Sequence, residues 1–406
     1  MAAQSVLISG AGIAGPTLAF WLNAAGFRTT IVERAPAMRA GGYVIDFWGL
    51  GYDIAERMGL ANELRRVGYS MREMRIVDAR GERITGFGTR VFRELTGGRF
   101  VTLARADLAR LLFETVKGET EVLFGDEIAS LEERADRVRA QFRHGDARTF
   151  DLVIGADGLH SNVRGLVFGP RQQFERDLGY VVAAFETQGY RPRDEDVYVI
   201  YSEPRQMVAR FALHDDRTLF LFVFTHEESL LTDLDAQKAM LRRRYGASGW
   251  ECGQILARLD RATDLYFDQV AQIKMASWSR GRVALVGDAA FSVSLMAGQG
   301  SALAMTAAYV LAGELAKAEG RHDAAFGRYE AILRAFIESK QKGAERFSSA
   351  FAPRTRFGVF IRNQVIRACA IPGVAKFALS RDITDALKLP DYPWPPPQAA
   401  ARLANP

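Results

Sequence analysis

The sequence contains little cysteine and little histidine. Its 406 residues include two cysteines, Cys252 and Cys369, and five histidines. The cysteines form no CxxC pair and the histidines show no metal-ligand spacing, so we expect neither a disulfide framework nor a protein-built metal site. Such a low cysteine content is typical of the cytoplasm, which is the location that we predict.

Long hydrophobic runs are also missing. No uninterrupted apolar stretch reaches the ~18 residues of a spanning helix, so we expect no membrane span. The amino terminus begins a strand almost at once and shows no basic, apolar leader. Apolar residues at 48% and charged residues at 25% are typical of a globular enzyme and exclude wholesale disorder.

Positive charge is concentrated near the carboxyl end. The formal net charge of +5 is mild, but the stretch 328–381 holds eleven Lys and Arg residues against three Glu. Three explanations remain open: a solvated helix face, an electrostatic patch for an anionic cofactor or substrate, or binding to a membrane surface or nucleic acid. No RRM, zinc-finger or helix-turn-helix pattern is present, so we predict no nucleic-acid partner.

A glycine-rich turn follows the first predicted strand. Gly10 permits a tight turn, Gly12 lets the backbone approach a pyrophosphate, and Gly15 allows the helix to pack closely on the strand. Glu33 ends the second strand, where its carboxylate can accept hydrogen bonds from a ribose. This GxGxxG pattern predicts an adenine-dinucleotide site, with an incidental glycine-rich turn as the alternative. The predicted site comprises Gly10, Gly12, Ile13, Ala14, Gly15, Glu33 and Arg34.

A second glycine element lies far along the chain, in the stretch VALVGDAAFSVSLMAGQGSALAM at 283–305. Asp288 follows a buried strand and needs hydroxyl partners, which a ribityl chain offers. Gly298, Gln299 and Gly300 open the next helix and present backbone N–H groups to an electron-rich ring edge such as flavin N1/O2. Together the two elements favour FAD over NAD, because each can hold one half of that molecule.

The periodicity predicts an α/β protein. A Rossmann-like FAD-binding domain is expected from residues 1–72, 98–177 and 278–390, the last with carboxyl-terminal helices. An inserted antiparallel sheet, the substrate domain, is expected from 73–97 and 178–277, where short strands alternate with turns. The proline-rich tail 391–406 is expected to lie extended on the surface or to fray.

The ordered motifs carry a family resemblance over nearly the whole chain. GxGxxG with Glu33, the sequence GADGLHSNVR at 155–164, and Gly287-Asp288 extended to Gly298-Gln299-Gly300 resemble the group A flavoprotein aromatic monooxygenases, the para-hydroxybenzoate hydroxylase family, with its tetracycline-inactivating and polyketide-tailoring relatives. The resemblance implies a monooxygenase that uses FAD, consumes NADH or NADPH and hydroxylates an aromatic or polyketide-like molecule with dioxygen through a flavin C4a-hydroperoxide.

The resemblance also implies roles for individual residues. Glu33 would hold the adenosine ribose, and Arg105 in ARADLARLL would contact the ribityl and pyrophosphate region. Asp157 would serve FAD and the nicotinamide together, and Asp288 would hold the ribityl chain. Two alternatives from the residues themselves stay open: Asp157 as a helix cap, and Arg105 in an exposed salt bridge.

The chain departs from the family pattern at two positions. Phe291 and Leu295 stand where the family usually carries histidine and proline. This departure favours the alternative function, an FAD-dependent dehydrogenase, oxidase or reductase without oxygen insertion. A non-enzymatic flavin-binding or sensing protein is a further alternative.

The substrate side is less sharply indicated. Alternating aromatic residues in TLFLFVF at 218–224 predict either an aromatic-binding pocket or packing between the sheet and a covering helix. The loop GGYVIDFWG resembles the family loop beside the flavin ring, with a simple turn as the alternative. No catalytic base is identified. The candidate pocket residues are Asp46, Phe47, Arg210, Phe211, Phe220, Phe222, Phe224, Leu295 and Met296.

Overall fold

The computed structural model describes residues 4–39, 41–226, 231–319, 321–369 and 385–394. Strands within these residues are short except for the fourteen-residue β12. They are β1 Ser5–Ser9, β2 Arg28–Glu33, β3 Val44–Trp48, β4 Glu73–Val77, β5 Arg83–Gly88, β6 Phe100–Ala104, β7 Glu121–Phe124, β8 Ile128–Glu133, β9 Val138–Phe142, β10 Arg148–Phe150, β11 Leu152–Gly155, β12 Glu175–Gln188, β13 Val197–Glu203, β14 Gln206–Ala212, β15 Arg217–Thr225, β16 Tyr266–Ile273, β17 Ser279–Arg280 and β18 Val283–Leu285.

The helices concentrate at the two ends of the chain. They are α1 Ala14–Ala24, α2 Leu50–Arg57, α3 Ala61–Val67, α4 Arg90–Leu95, α5 Arg105–Val116, α6 Asn162–Val167, α7 Leu234–Tyr245, α8 Cys252–Leu259, α9 Asp288–Phe291, α10 Gly300–Lys317, α11 His322–Phe351 and α12 Arg356–Cys369. Short 3₁₀ turns occur at Arg171–Gln173 and Leu295–Ala297.

A six-stranded sheet forms the first layer, in the order β17-β18-β11-β1-β2-β7. The strands from β18 to β7 are parallel, and only β17 is antiparallel at the edge. Buried apolar residues dominate the central strands β1 and β11, as is usual where both faces of a parallel sheet are covered. The Rossmann-like α/β class predicted from the sequence is confirmed.

A seven-stranded sheet forms the second body, in the order β16-β12-β15-β14-β13-β4-β5. Its neighbours pair antiparallel except β13 and β4, which are parallel. The hairpin of β4 and β5 therefore joins the strands of 175–273 in one sheet. The domain boundaries themselves stay a prediction with which this topology agrees.

The segment 385–394 packs back onto the first body. The Tyr392 ring is buried, and its hydroxyl donates to Glu314 Oε1 at 2.9 Å. A Cβ on Gly313 would overlap that ring, so glycine is required in α10 at this point. Trp394 lies against Trp21, with ring centroids 4.9 Å apart. The start of the predicted tail is therefore anchored and does not fray, while 395–406 lie outside the described residues.

Candidate cofactor and substrate site

The first glycine turn connects β1 to α1. Gly10 has φ +109°, and a Cβ there would lie 2.6 Å from the carbonyl oxygen of Ala156. A Cβ on Gly15 would overlap the carbonyl oxygen of Gly10. By contrast, a Cβ on Gly12 would meet only Arg105 Nη2, at 3.9 Å. Steric exclusion thus explains why residues 10 and 15 are glycine. At Gly12 the absence of a side chain instead leaves the backbone accessible to a ligand on the side of Arg105.

The residues around this turn fix its shape. The Glu33 carboxylate accepts hydrogen bonds from the backbone N–H of Ala11 and of Ala35, each at 2.9 Å. The side chains of Ile13 and Ala14 are buried in the core, so they can offer a ligand only their backbone N–H groups. Arg34 is exposed beside Glu33. The acid and the helix start therefore lie at one turn, as a ribose and its phosphates require.

The second glycine element lies directly against the first. A Cβ on Gly287, whose φ is +66°, would be 3.3 Å from the Cβ atoms of Ala14 and Ala304. Asp288 begins α9, and its Oδ1 lies 3.9 Å from the position of a Cβ on Gly300. The two elements thus meet where α1 and α10 begin. Ala14 and Gly287, which lie in contact there, are 273 residues apart in the sequence.

Gly298 and Gln299 complete the second element. Gly298 is left-handed with φ +67°, and Gln299 is the cap residue before α10. A Cβ on Gly298 would lie 3.9 Å from the Trp48 ring. The first turn of α10, whose N–H groups have no partner within the helix, therefore begins beside Asp288 and Trp48.

Arg105 and Asp288 are the polar groups that face each other across this region. Burial raises the pKa of the Asp288 carboxyl, and the positive charge of Arg105 opposes that rise. Within the described residues neither side chain forms a hydrogen bond, and the exposed salt bridge kept as an alternative for Arg105 is not formed. Largely desolvated charges without partners are costly, so this pair fits a polar ligand with hydroxyl and phosphate groups, as FAD has.

The Asp157 carboxylate accepts hydrogen bonds at the start of α6. It accepts from Ser161 Oγ at 2.5 Å and from the backbone N–H of Asn162 and Val163 at 2.8 and 3.1 Å. Burial raises the pKa of this carboxyl. The helix-cap alternative therefore describes the structure, and a contact of Asp157 with FAD or nicotinamide stays a prediction.

Arg164 is a residue whose role the sequence did not reveal, although it ends the GADGLHSNVR stretch. Its side chain is fully buried, and it donates to the backbone oxygens of Ala289 at 2.9 Å and Leu159 at 2.7 Å. Burial lowers the pKa of its guanidinium. The arginine thus ties the turn before α6 to α9, which carries Asp288.

The aromatic residues of β15 lie on the far face of the seven-stranded sheet. Phe220, Phe222 and Phe224 are buried against α7 and α8, and the Phe222 and Tyr245 rings are 4.9 Å apart. Because alternate residues of a strand face opposite sides, these three cannot also line a pocket toward the glycine turns. The pocket interpretation is wrong for them, and the alternative of packing against a covering helix describes them.

Arg210 lies on the same far face. It is buried, forms an ion pair with Asp194 at 2.6 Å and stacks on Trp250 at 5.8 Å. Phe211, the next residue, faces the other way and contacts Tyr198, with ring centroids 4.8 Å apart. Arg210 is therefore removed from the predicted pocket and Phe211 is retained.

The near face of the sheet, turned toward the glycine turns, carries a row of residues that the sequence did not single out. Cross-strand pairing places them side by side from β16 to β13. Two apolar clusters flank this near row, and its larger members are only half-buried. Two small alanines leave space between the larger side chains. In sheet order the near row is Tyr266, Ala184, Leu221, Ala209 and Ile200.

Asp46 lies opposite this face on β3. Its carboxylate accepts from Thr102 Oγ1 at 2.5 Å and from the Tyr198 hydroxyl at 3.4 Å. Burial raises the pKa of the Asp46 carboxyl and, together with Asp46, raises the pKa of Tyr198 well above its usual value. Phe47 points the opposite way into the core beside Tyr52, so its assignment to the pocket is wrong.

The second glycine element also borders the near face. Leu295 is half-buried against the apolar cluster that includes Val223 and Met207, and Met296 is buried within that cluster. Tyr43 reaches the near row as well, with its ring centroid 5.2 Å from that of Tyr266. The predicted cofactor side and the near face therefore enclose one region.

Comparisons with known proteins identify the family. Residues 3–340 match the family model described as FAD binding domain. The chain belongs to this FAD-binding family. It is 35% identical over 398 residues to a flavin-dependent monooxygenase of an unknown prokaryotic organism, covering 96% of this chain and 99% of the relative.

Solved structures agree with this assignment. Tetracycline destructase Tet(51) aligns with a TM-score of 0.82 and 32% identity, covering 96% of this chain and all of that chain. Klebsiella pneumoniae HpxO, solved with FAD and uric acid, aligns with a TM-score of 0.79 and 25% identity, covering 94% and 96%. The protein is an FAD-dependent monooxygenase, and NADH or NADPH is the usual reductant in its family.

Phe291, where the chain departs from the family pattern, is part of the hydrophobic core. The Phe291 side chain is buried, with its ring centroid 4.7 Å from that of Trp278. It therefore packs behind α9 and does not face Asp288. The alternative of a flavoenzyme without oxygen insertion, which Phe291 and Leu295 together favoured, is not supported by the flavin-dependent monooxygenase relatives.

Proposed function

We propose that this monooxygenase hydroxylates a fused-ring, hydroxyl-bearing aromatic or polyketide-like molecule bound against the near row. The observation that carries this proposal is the half-buried apolar strip of the near row, which borders Leu295 of the second glycine element. A flat ring system matches such a strip, because Ala184 and Ala209 leave room on either side of Leu221.

The cofactor side is proposed to work as two cradles for one molecule. Gly10, Gly12 and Glu33 would hold the adenosine diphosphate half through backbone N–H groups and a carboxylate. Arg105 would neutralise the pyrophosphate, and Asp288 would accept hydrogen bonds from the ribityl hydroxyls. When bound, FAD supplies hydride acceptance and oxygen activation; the chain positions it and excludes water.

Asp46 and Tyr198 are proposed to orient the substrate. They are hydrogen-bonded to each other beside the near row, and the raised pKa of Tyr198 keeps its hydroxyl protonated and able to donate. A phenol or enol hydroxyl of the substrate can exchange hydrogen bonds with this pair. The ring to be hydroxylated would then lie between Tyr198 and the second glycine element.

The relatives narrow the substrates to test. One structural neighbour is a tetracycline destructase, and another was solved with uric acid. We propose that this chain favours a multi-ring substrate, since the near row extends over five neighbouring strands and a bicyclic purine would fill only part of it.

The test uses FAD-loaded protein with NADPH or NADH and three probes: tetracycline, 4-hydroxybenzoate and uric acid. Faster nucleotide oxidation with tetracycline, together with one atom from ¹⁸O₂ in its product, supports the proposal. Rapid nucleotide oxidation with any probe but no labelled product would contradict hydroxylation of that probe. Labelled product from uric acid alone would contradict the multi-ring preference.

We also propose that the protein acts in the cytoplasm. Cys252 and Cys369 are both free thiols, which is the usual state in a reducing compartment. Fractionation of cells that produce the protein at native levels tests this location, and recovery from an extracytoplasmic fraction would contradict it.

A further inference from the structure

The helix α12 presents an apolar face to solvent. One side of the helix lies on the edge of the seven-stranded sheet, where Arg362 Nη1 donates to Ser202 Oγ at 2.9 Å and Arg367 Nη2 donates to the Ile84 carbonyl at 3.3 Å. The opposite side carries large apolar residues at spacings of three, four and eight, which place them on one face. Their exposed fractions are Phe357 72%, Phe360 55%, Ile361 44% and Val365 58%.

This patch stands apart from the rest of the surface. Of the six large apolar side chains that are exposed in the described ranges, four are on α12 and a fifth, Ile84 at 39%, is on the adjacent edge strand β5. Only Leu166 lies elsewhere. Single exposed apolar residues are ordinary on proteins, but four on one helix face, with a fifth on the strand beside it, mark an interaction surface. We call Ile84, Phe357, Phe360, Ile361 and Val365 the α12 patch.

The segment of sequence that contains α12 carries charge of one sign. The sequence 346–381 contains seven Lys and Arg residues and no Asp or Glu. On the helix itself, Arg356 and Arg367 are exposed and lie along one margin of the patch, next to Phe360 in the helical projection. A helix with an apolar face and a basic margin is typical of segments that lie in the interface of an anionic bilayer.

Two other occupants fit less well. A symmetric dimer through this face would bring Arg356 and Arg367 near their own copies with no acid on α12 to compensate, which is unfavourable. Nucleic acid would pair with the arginines but would leave the exposed phenylalanines without an apolar partner. An anionic lipid surface suits both the apolar and the basic residues of α12, because acyl chains receive the apolar side chains and headgroups pair with the arginines.

We propose that the α12 patch docks the enzyme on an anionic membrane surface. The fourteen residues of α12 extend about 21 Å, less than the thickness of the hydrocarbon layer. No helix among the described residues is long and apolar enough to cross a membrane. The helix therefore lies in the plane of the surface, with Phe357 and Phe360 inserted below the headgroups. This sheet edge is opposite to β16, so docking leaves the glycine turns uncovered.

The test measures flotation of the full FAD-loaded protein with vesicles of phosphatidylcholine alone or with about 30% phosphatidylglycerol. We expect binding to the anionic vesicles that falls when salt is raised from about 0.1 to about 0.5 M. The double variant F357S/F360S should bind at least about tenfold more weakly. Arg356→Gln should weaken binding about fivefold.

Leu166→Ser is the matched control, because it removes an exposed apolar residue away from the α12 patch. It should bind vesicles like the unchanged protein, and all variants should keep their FAD content and melting temperature. No binding to anionic vesicles would overturn the proposal. So would equal loss in Leu166→Ser, unchanged binding in F357S/F360S, or a dimer in sedimentation velocity that F357S/F360S abolishes.

Discussion

The two glycine elements and the seven-stranded sheet build their parts of the site in different ways. Around Gly10, Gly15 and Gly287 the shape is set by backbone atoms so close that a Cβ would collide or crowd its neighbours. On the sheet, by contrast, side chains set the shape. Leu221 and Phe222 are adjacent in the chain, but they lie on opposite faces of the sheet. Cofactor binding here depends on where the backbone turns, and the proposed substrate site depends on which face of the sheet a side chain occupies.

The largest effect is expected from a substitution in the core on the far face of the sheet. Phe222→Ala should lower the free energy of unfolding by about 3–5 kcal/mol, because the Phe222 ring is buried against Tyr245 and a cavity would remain. Urea unfolding of the FAD-loaded protein measures this change. If the variant were as stable as the parent and instead bound substrate poorly, the placement of Phe222 in the helix-facing core would be contradicted.

The cofactor side is tested by Asp288→Ala. Loss of a charged hydrogen-bond acceptor should weaken FAD binding roughly tenfold to hundredfold. Fluorescence titration of the apoprotein with FAD gives the dissociation constant. Asp136→Ala, which removes an exposed acid paired with Arg137, is the control and should leave FAD affinity unchanged. Equal affinity in the two variants would contradict the assignment of Asp288.

The near face is tested by Leu221→Phe. The added volume should fill the space beside Ala184 and Ala209 and raise the KM for a multi-ring substrate about tenfold, with FAD affinity unchanged. Steady-state NADPH oxidation measures KM, and the flavin absorbance measures FAD content. An unchanged KM with every active probe would place the substrate elsewhere than the near row.

The smallest effect concerns the pH dependence at Asp46. Because burial raises its pKa in the folded protein above the ordinary 3.8, the folded state binds the proton more tightly than the unfolded state. Stability is therefore lost as the pH rises from below 3.8 through the raised value. Asp46→Asn lacks this loss, so its free energy of unfolding relative to the parent should increase by about 1 kcal/mol across that window.

Urea unfolding at pH 4 and pH 7 provides that comparison. A difference between Asp46→Asn and the parent that does not change with pH would show that the carboxyl is not desolvated.

The sequence revealed the cofactor side more fully than the substrate side. Gly10, Gly15 and Gly287 could be assigned because a backbone that must turn sharply leaves its requirement in residue identity. Asp288 was singled out by its position after a buried strand and Arg105 through the family resemblance, and their closeness appeared only in the fold. Arg164 was passed over, since nothing in a local pattern shows that a guanidinium will reach a carbonyl 125 residues away.

The aromatic residues of β15 were assigned to the wrong face of the sheet. The alternation of Phe220, Phe222 and Phe224 correctly indicated a strand with one aromatic face. That alternation does not show on which side α7 and α8 pack. When both faces of a strand are apolar, either face can meet a helix. The same ambiguity misplaced Phe47 relative to Asp46.

By itself, the sequence determined the class of fold, the two glycine turns and the family, since these depend on local backbone conformation and on ordered motifs. Only the tertiary structure decided which face of the sheet meets the cofactor side, how Arg164 joins two turns, and that the apolar face of α12 remains exposed. These features depend on the packing of segments far apart in the chain, and a strand or helix carries the same periodicity whichever neighbour covers it.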